Sequence, residues 1–191
     1  MNQQEIISFF DKYAPFWDEG QIRNEAVIEL ILNNSGIEKD VSVLDVACGT
    51  GVLFPDYIKR GAVVTGVDIS PEMVKIAKKK FPQINVICGD VEKISFEKNF
   101  DVVMVYNAFP HFPDSESVIK RLSECLSQGG RLSIAHGMSR EALLKHHSGA
   151  AKDVSRELPT AEALAQIFEK YFIVDIIISD DKMYQVSGIK I

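Results

Sequence analysis

Long apolar runs are missing from this 191-residue chain. No stretch approaches the roughly 20 residues that a membrane-crossing helix needs, so no membrane partner is expected. A surplus of positive charge is missing as well. The formal net charge is −6, and an acidic surface repels phosphates, which argues against a general nucleic-acid binder. The one basic run, Lys78-Lys79-Lys80, ends a predicted helix, where the helix dipole favours cations. Cysteine is scarce: Cys48, Cys88 and Cys125 have no metal-like spacing, so no metal site is expected. Cys88 in a strand pattern and Cys125 in a helix pattern read as buried thiols acting as small apolar side chains. The opening Met1-Asn2-Gln3-Gln4-Glu5 is too polar for a secretory signal, which points to a cytoplasmic protein. Repeats, low-complexity tracts and proline-rich linkers are absent too. With 46% apolar residues, one domain over 1–191 is expected.

What is present is a regular alternation. Val41 to Ala47, Ala62 to Asp68, Ile84 to Cys88, Phe100 to Tyr106 and Arg131 to His136 read as five buried strands, because continuous apolar runs fit a sheet covered on both faces. Between them lie helix patterns. Val52 to Arg60 stops at Gly61, and Ser70-Pro71 supplies a cap and a first-turn proline. Asp114 caps a helix to about Leu126, and Gly129-Gly130 turns into the fifth strand. Two helices precede this series, one marked by Ile6, Phe9, Phe10 and Tyr13 and stopped by Pro15, and one over about Gln21 to Asn33. Strands alternating with helices imply parallel pairing. The last third departs from that rhythm. A polar helix over about Ser139 to Ala150 and a helix from Thr160 to Phe168 lead to two strand-like runs, Phe172 to Ile178 and Met183 to Ile191. Asp180-Asp181 between these runs reads as the turn of an antiparallel hairpin.

In open parallel sheets, ligands bind outside the carboxyl ends of the strands. At those ends stand Cys48-Gly49-Thr50-Gly51, Asp68, Asp90 and Asn107. An acid ending the second strand is suited to both hydroxyls of a ribose, the role assigned to Asp68. Ile69 is placed to lie against an adenine face, and Asp90 to accept from an exocyclic amine. The pocket therefore reads as an adenosine site. A dinucleotide site wants Gly-x-Gly-x-x-Gly, but Phe54 stands where the third glycine belongs. A cofactor without a pyrophosphate fits better.

The segment Val43-Leu44-Asp45-Val46-Ala47-Cys48-Gly49-Thr50-Gly51 resembles the first motif of the class I S-adenosylmethionine-dependent methyltransferases. Val67-Asp68-Ile69-Ser70, Cys88-Gly89-Asp90-Val91, Phe100-Asp101-Val102-Val103 and Gln128-Gly129-Gly130-Arg131-Leu132 resemble its later motifs, in order. Ala47 is the one departure, since many members have glycine there. The resemblance implies a Rossmann-like α/β fold, a seven-stranded, mostly parallel sheet with helices on both faces and an antiparallel C-terminal strand. It implies S-adenosyl-L-methionine as cofactor. Gly49 and Gly51 would lie against its methionine portion, with Asp45 orienting that loop and Ala47 within it. Asp68 would hold the ribose. Ile69 and Met73 would flank the adenine, Asp90 and Val91 its polar edge, and Asn107 and Ala108 would meet the cofactor from the fourth strand. Residues 1–36 would form an N-terminal helical lid carrying Tyr13 and Trp17. For that pair, packing against the sheet edge is an equal reading.

The reaction implied is methyl transfer to a small-molecule acceptor by direct displacement. A general base is needed only if the acceptor loses a proton. His111 and His136 follow the fourth strand and end the fifth, so each is a candidate for base or substrate contact, or for capping and packing. The insertion 137–158 carries Arg140, His146 and His147, with Lys145, Lys152 and Arg156 nearby. This local basic bias hints at an acidic acceptor, or marks a solvated helix face. Two other functions share the adenosine pocket: a nicotinamide-dependent oxidoreductase, disfavoured by Phe54, and a non-catalytic cofactor-binding protein. The expected assembly is a monomer or homodimer.

Overall fold

The computed structural model describes residues 2–19, 23–147 and 151–191, with backbone alone at 146 and 147. The apolar runs become strands β1 (Ser42–Val46), β2 (Val63–Asp68), β3 (Asn85–Cys88), β4 (Phe100–Tyr106), β5 (Leu126–His136), β6 (Phe172–Ser179) and β7 (Tyr184–Lys190). They form one seven-stranded sheet in the order β3-β2-β1-β4-β5-β7-β6. The pairs among β1 to β5 are parallel, and β7 runs antiparallel to both β5 and β6. The chain enters at β1, steps outward to β3 and returns to β4 on the other side. Strand order therefore reverses between β1 and β4, which opens a crevice at their carboxyl ends.

The helices are α1 (Gln3–Tyr13), α2 (Glu25–Asn34), α3 (Phe54–Arg60), α4 (Pro71–Lys80), α5 (Ser115–Glu124), α6 (Arg140–His147) and α7 (Ala161–Phe168). Side chains of a strand alternate between faces, and β4 shows this residue by residue. Val103 and Val105 join a core with Leu122 of α5 and Leu164 and Phe168 of α7. Val102, Met104 and Tyr106 join a second core with Ile28 of α2, Tyr57 of α3 and Val74 of α4. Each large side chain so buried contributes roughly 1.5–3 kcal/mol.

The caps follow the sequence signals. Ser70 Oγ accepts from the Met73 N–H at 3.2 Å, and the Asp114 carboxylate accepts from the N–H groups of Glu116 and Ser117 at 3.0 Å each. The Asp180 carboxylate accepts from Lys182 and Met183 at 2.8 Å each and closes the β6–β7 hairpin. Three expectations need correction. β5 begins at Leu126, and Gly129-Gly130 sits in a bulge where the register with β4 jumps from Leu126 to Arg131. α2 begins at Glu25, capped by Asn24, and Gln21 lies outside the described residues. Cys88 is exposed, because it ends a four-residue edge strand.

Candidate active site

A cavity of about 690 Å³ lies over the carboxyl ends of β1, β2 and β4, with α1 and the residues after it on its other side. Three loops shape it. After β1, Ala47 adopts a left-handed φ of 55°, and the Cys48 N–H donates to the Val67 carbonyl at 3.1 Å. Gly51 has φ 86°, and a Cβ there would come within 2.5 Å of the Phe54 ring. Phe54 is wholly buried and also reaches under β2, where a Cβ at Gly66 would come within 2.7 Å of it. A bulky residue thus fits at the helix start because Gly66 makes room, a pairing sequence reasoning missed. The first turn of α3 is Phe54-Pro55. Proline offers no N–H there, and the Phe54 and Asp56 N–H groups already donate to the Gly51 and Leu53 carbonyls, so a pyrophosphate finds little to bind.

Asp68 ends β2 and is 7% exposed. One carboxylate oxygen accepts from the Gly49 N–H at 2.7 Å and the other from the Ser70 N–H at 2.8 Å. Burial pushes its carboxyl up to about 6, against the pull of those N–H groups. A carboxylate has about four acceptor positions, so two remain for a vicinal diol. Asp90 follows β3. Its oxygens accept from the Gln3 amide at 2.7 Å and the Glu92 N–H at 3.0 Å, and Lys93 pairs with it at 3.0 Å. Burial raises its pKa, but these partners outweigh it and hold the carboxyl below its ordinary value.

Of the residues expected around a cofactor, Ala47, Gly49, Asp68, Ile69 and Met73 line the cavity, as do Asp90, Val91, Asn107 and Ala108. Asp45 and Gly51 do not. Alternation along β1 turns Asp45 toward the α2–α4 side, where it is 2% exposed. Burial pushes it up to about 8, and the nearby Asp68 charge adds to the rise. Gly51 lies behind the loop, against Phe54. Asn107 joins β4 to β5: its side-chain oxygen accepts from the Gly137 N–H at 2.9 Å.

Tyr13 and Trp17 also line the cavity. The Trp17 indole nitrogen is 3.8 Å from where a Cβ of Gly49 would stand. The segment from α1 to Asp18 is tied to all three loops. Gln3 reaches Asp90. Asp11 accepts from the Ser70 hydroxyl at 2.6 Å. Asp18 accepts from the Thr50 hydroxyl at 2.6 Å and from Lys80 at 2.7 Å. Sequence reasoning missed these three anchors. The signal was there for two: Gln3 and Asp11 are polar and eight apart, beside the helix stripe that holds Ile6 and Phe10.

His111 lines the cavity from the turn after β4. Its Nδ1 is 2.8 Å from the Val154 carbonyl and 3.3 Å from the Ser155 hydroxyl. A carbonyl only accepts, so Nδ1 carries the proton and Nε2 the lone pair. The Phe10 ring packs edge-on at 4.9 Å. Burial lowers the imidazole pKa, opposed by the Val154 carbonyl, so the ring is neutral near pH 7.

The other acceptor-side expectations change. His136 is fully buried, paired across the sheet with Tyr184 and packed against its ring at 6.0 Å. It does not line the cavity, because it ends β5 beside Tyr184, a residue of the core under α5 and α7. Arg140 does not line it either. It donates to the Leu158 carbonyl at 2.8 Å and pairs with Glu157 at 2.6 Å, which spends its charge on folding the insertion. The side chains of His146 and His147, at the end of α6, lie outside the described residues. Among the described residues, no group of three His, Cys, Asp or Glu is placed to hold a metal ion. No described helix is long and apolar enough to cross a membrane.

The residues present fit S-adenosylmethionine. Asp68 offers acceptors to a diol, Ile69 and Met73 offer an apolar wall beside it, and Tyr13 and Trp17 offer aromatic faces to a cation. Comparison with known proteins agrees. A family model described as "Methyltransferase domain" matches residues 43–130. A malonyl-[acyl-carrier protein] O-methyltransferase of Priestia megaterium is 30% identical over 139 residues, covering 69% of this chain and 51% of the relative. A ubiquinone biosynthesis O-methyltransferase of Coxiella burnetii is 30% identical over 143 residues, covering 69% of this chain and 61% of the relative. The chain thus spans about half to three-fifths the length of these relatives. Magnesium protoporphyrin IX methyltransferase of Synechocystis, solved with S-adenosylhomocysteine, has the same fold over the whole of both chains, with a TM-score of 0.74 at 18% identity. The family model places a methyltransferase domain at residues 43–130 of this chain, and its motifs and sheet order are those of the class I S-adenosylmethionine-dependent methyltransferases.

Proposed function

We propose that this chain catalyses methyl transfer to a small-molecule acceptor in the cytoplasm. The observation that carries the reading is the convergence of the Gly49 turn, Asp68 and Asp90 on one cavity that also holds His111. The cofactor, when bound, supplies a methyl group on a sulfonium. The protein's work is then to position, desolvate and move a proton.

Asp68 would bind the ribose hydroxyls through its two remaining acceptor positions. Ile69 and Met73 would hold the adenine ring, with Asp90 and Val91 at its polar edge. Asp90 exchanges its Gln3 partner for the adenine amine or shares it. Gly49 and Ala47 would border the methionine portion, with Asn107 and Ala108 opposite. Residues 1–36 would act as a lid through Tyr13 and Trp17, excluding water. His111 is the base candidate, since its Nε2 is a lone-pair nitrogen; His136 is too enclosed to meet an acceptor. The insertion 137–158 contributes Met138, Leu143 and Ala151 to the cavity wall. It is proposed to choose the acceptor.

Isothermal titration with S-adenosylhomocysteine and with NAD tests the reading. S-adenosylhomocysteine is expected to bind at micromolar concentration, at least a hundredfold tighter than NAD. Binding of NAD alone would overturn it.

A further inference from the structure

Gln3, the first residue of α1, presents a flat carboxamide to the loop after β3. Its Nε2 donates to Asp90 Oδ2 at 2.7 Å, and its Oε1 accepts from Lys93 Nζ at 3.3 Å. A carboxylate only accepts and an ammonium only donates, so these partners fix which way the amide points. Asp90 Oδ2 also pairs with Lys93 at 3.0 Å, while Oδ1 accepts from the Glu92 N–H at 3.0 Å. Gln3 and Lys93 therefore use both lone pairs of Oδ2. Of the two, Gln3 lines the cavity and Lys93 does not.

The carboxamide carries the hydrogen-bonding pattern of an adenine edge. An amide sets an NH₂ donor beside a carbonyl acceptor, and adenine sets its exocyclic NH₂ beside a ring-nitrogen acceptor. The adenine amine assigned to Asp90 needs the lone pair that faces the cavity, and that is the one Gln3 holds. Both donors cannot have it. Gln3 is exposed and stands at the helix start, so its side chain can swing away by rotamer changes alone. The rest of α1 need not move, because Ile6 is buried beneath it and Asp11 holds the Ser70 hydroxyl at 2.6 Å.

We propose that Gln3 is an intramolecular competitor for the adenine edge: it holds the Asp90 oxygen that the adenine amine takes, and cofactor binding requires its withdrawal. This rests on the reading of the cavity as an S-adenosylmethionine site with Asp90 at the adenine. Only the fraction of molecules with that oxygen released accepts the base, and the apparent dissociation constant is the intrinsic one divided by that fraction. Gln3 thus weakens affinity by slowing association. Dissociation is untouched, since Gln3 has already left Asp90 in the complex.

The test compares the wild-type chain with Gln3→Ala, using calorimetric titration and stopped-flow binding of S-adenosylhomocysteine. Alanine suits a helix, and far-UV circular dichroism with a melting curve checks that α1 and the fold are kept. Gln3→Ala is expected to bind about three- to tenfold tighter. The whole gain should lie in the association rate constant. In an Asp90→Ala background, which lacks the contested oxygen, Gln3→Ala should change the affinity by less than about 1.5-fold. Weaker or unchanged binding by Gln3→Ala overturns the proposal, as does a gain that lies in slower dissociation. A gain of the same size without Asp90 overturns it too, by tracing the effect to looser packing of α1. Failure of S-adenosylhomocysteine to bind either the wild type or Gln3→Ala would strike the cofactor reading instead, so the two failures are distinguishable.

Discussion

Ala47 sits at φ 55°, a conformation that costs an L-residue with a Cβ roughly 1–2 kcal/mol and glycine almost nothing. The family's usual glycine at this position therefore has a backbone reason, and this chain tolerates the cost. Ala47→Gly should raise stability by about 1 kcal/mol, less the extra freedom glycine gives the unfolded chain. Urea denaturation followed by circular dichroism measures it, and a loss of more than 1 kcal/mol would refute the backbone account. Asp68 is the residue on which cofactor affinity should depend most. Hydrogen bonds to a charged group are worth about 1.5–3 kcal/mol each, so Asp68→Ala is expected to weaken S-adenosylhomocysteine binding by roughly ten- to a hundredfold or more. In the proposed role Asp68 would accept from both ribose hydroxyls and so be ionised; burial raises it to about 6, so affinity should rise between pH 5 and 7 and then level off. The same titration in Asp68→Asn should lose that rise; a rise that persists assigns it to another group.

The N-terminal segment is where element-scale behaviour concentrates. Its three anchors, Gln3 to Asp90, Asp11 to Ser70 and Asp18 to Thr50, reach the loops after β3, β2 and β1 in turn. A segment fastened this way should open in stages, and the Asp18 anchor is nearest Trp17. Asp18→Ala removes both the Thr50 and the Lys80 bond. It should increase the rotational freedom of Trp17, the chain's single tryptophan, and speed S-adenosylhomocysteine release by about three- to tenfold. Fluorescence anisotropy and stopped-flow displacement read the two effects; unchanged values for both would mean that this anchor does not hold the lid. The sequence carried the parallel strands and their caps plainly, since both are local patterns. It could not show that Gln3, Asp11 and Asp18 meet three separate loops, because those contacts join residues 32 to 87 positions apart. His136 illustrates the same limit. Its place at a strand end was legible, but whether it faces cavity or core depends on the register with β7, some 48 residues away.

At the scale of the whole molecule, two buried carboxyls shape how stability depends on pH. Asp45 and Asp68 are both pushed up by burial from an ordinary value of 3.8, to about 8 and about 6. The folded protein thus holds protons that the unfolded chain has already released. Their contribution to stability is complete below about pH 4 and is lost as pH rises, first through 6 and then through 8. Asp18, Asp90 and Asp175 are held below their ordinary values. Their contribution is present above about pH 4 and is lost as pH falls toward their lowered values. The two trends cross at mildly acidic pH, so the melting temperature should peak near pH 5, decline to about pH 8 and then level off. Each pKa unit is worth about 1.4 kcal/mol at most, so the decline should amount to a few kcal/mol. Asp45→Asn separates the two buried groups. It leaves an uncharged side chain of nearly the same shape, so the decline between pH 6 and 8, where only Asp45 still differs between the folded and unfolded chain, should flatten while the part between pH 4 and 6 remains. Melting curves by circular dichroism at half-unit steps show the difference, and a wild-type melting temperature that climbs from pH 6 to 8.5 would contradict the account. Burial of Asp45 on the Tyr57 side of β1 is itself a product of the whole sheet. Its neighbours Leu44 and Val46 belong to the α5–α7 core, and alternation leaves the acid to the other layer. An acid at that strand end marked a ligand site in the sequence, and the fold buries it one residue short of the cavity wall at Val46 and Ala47.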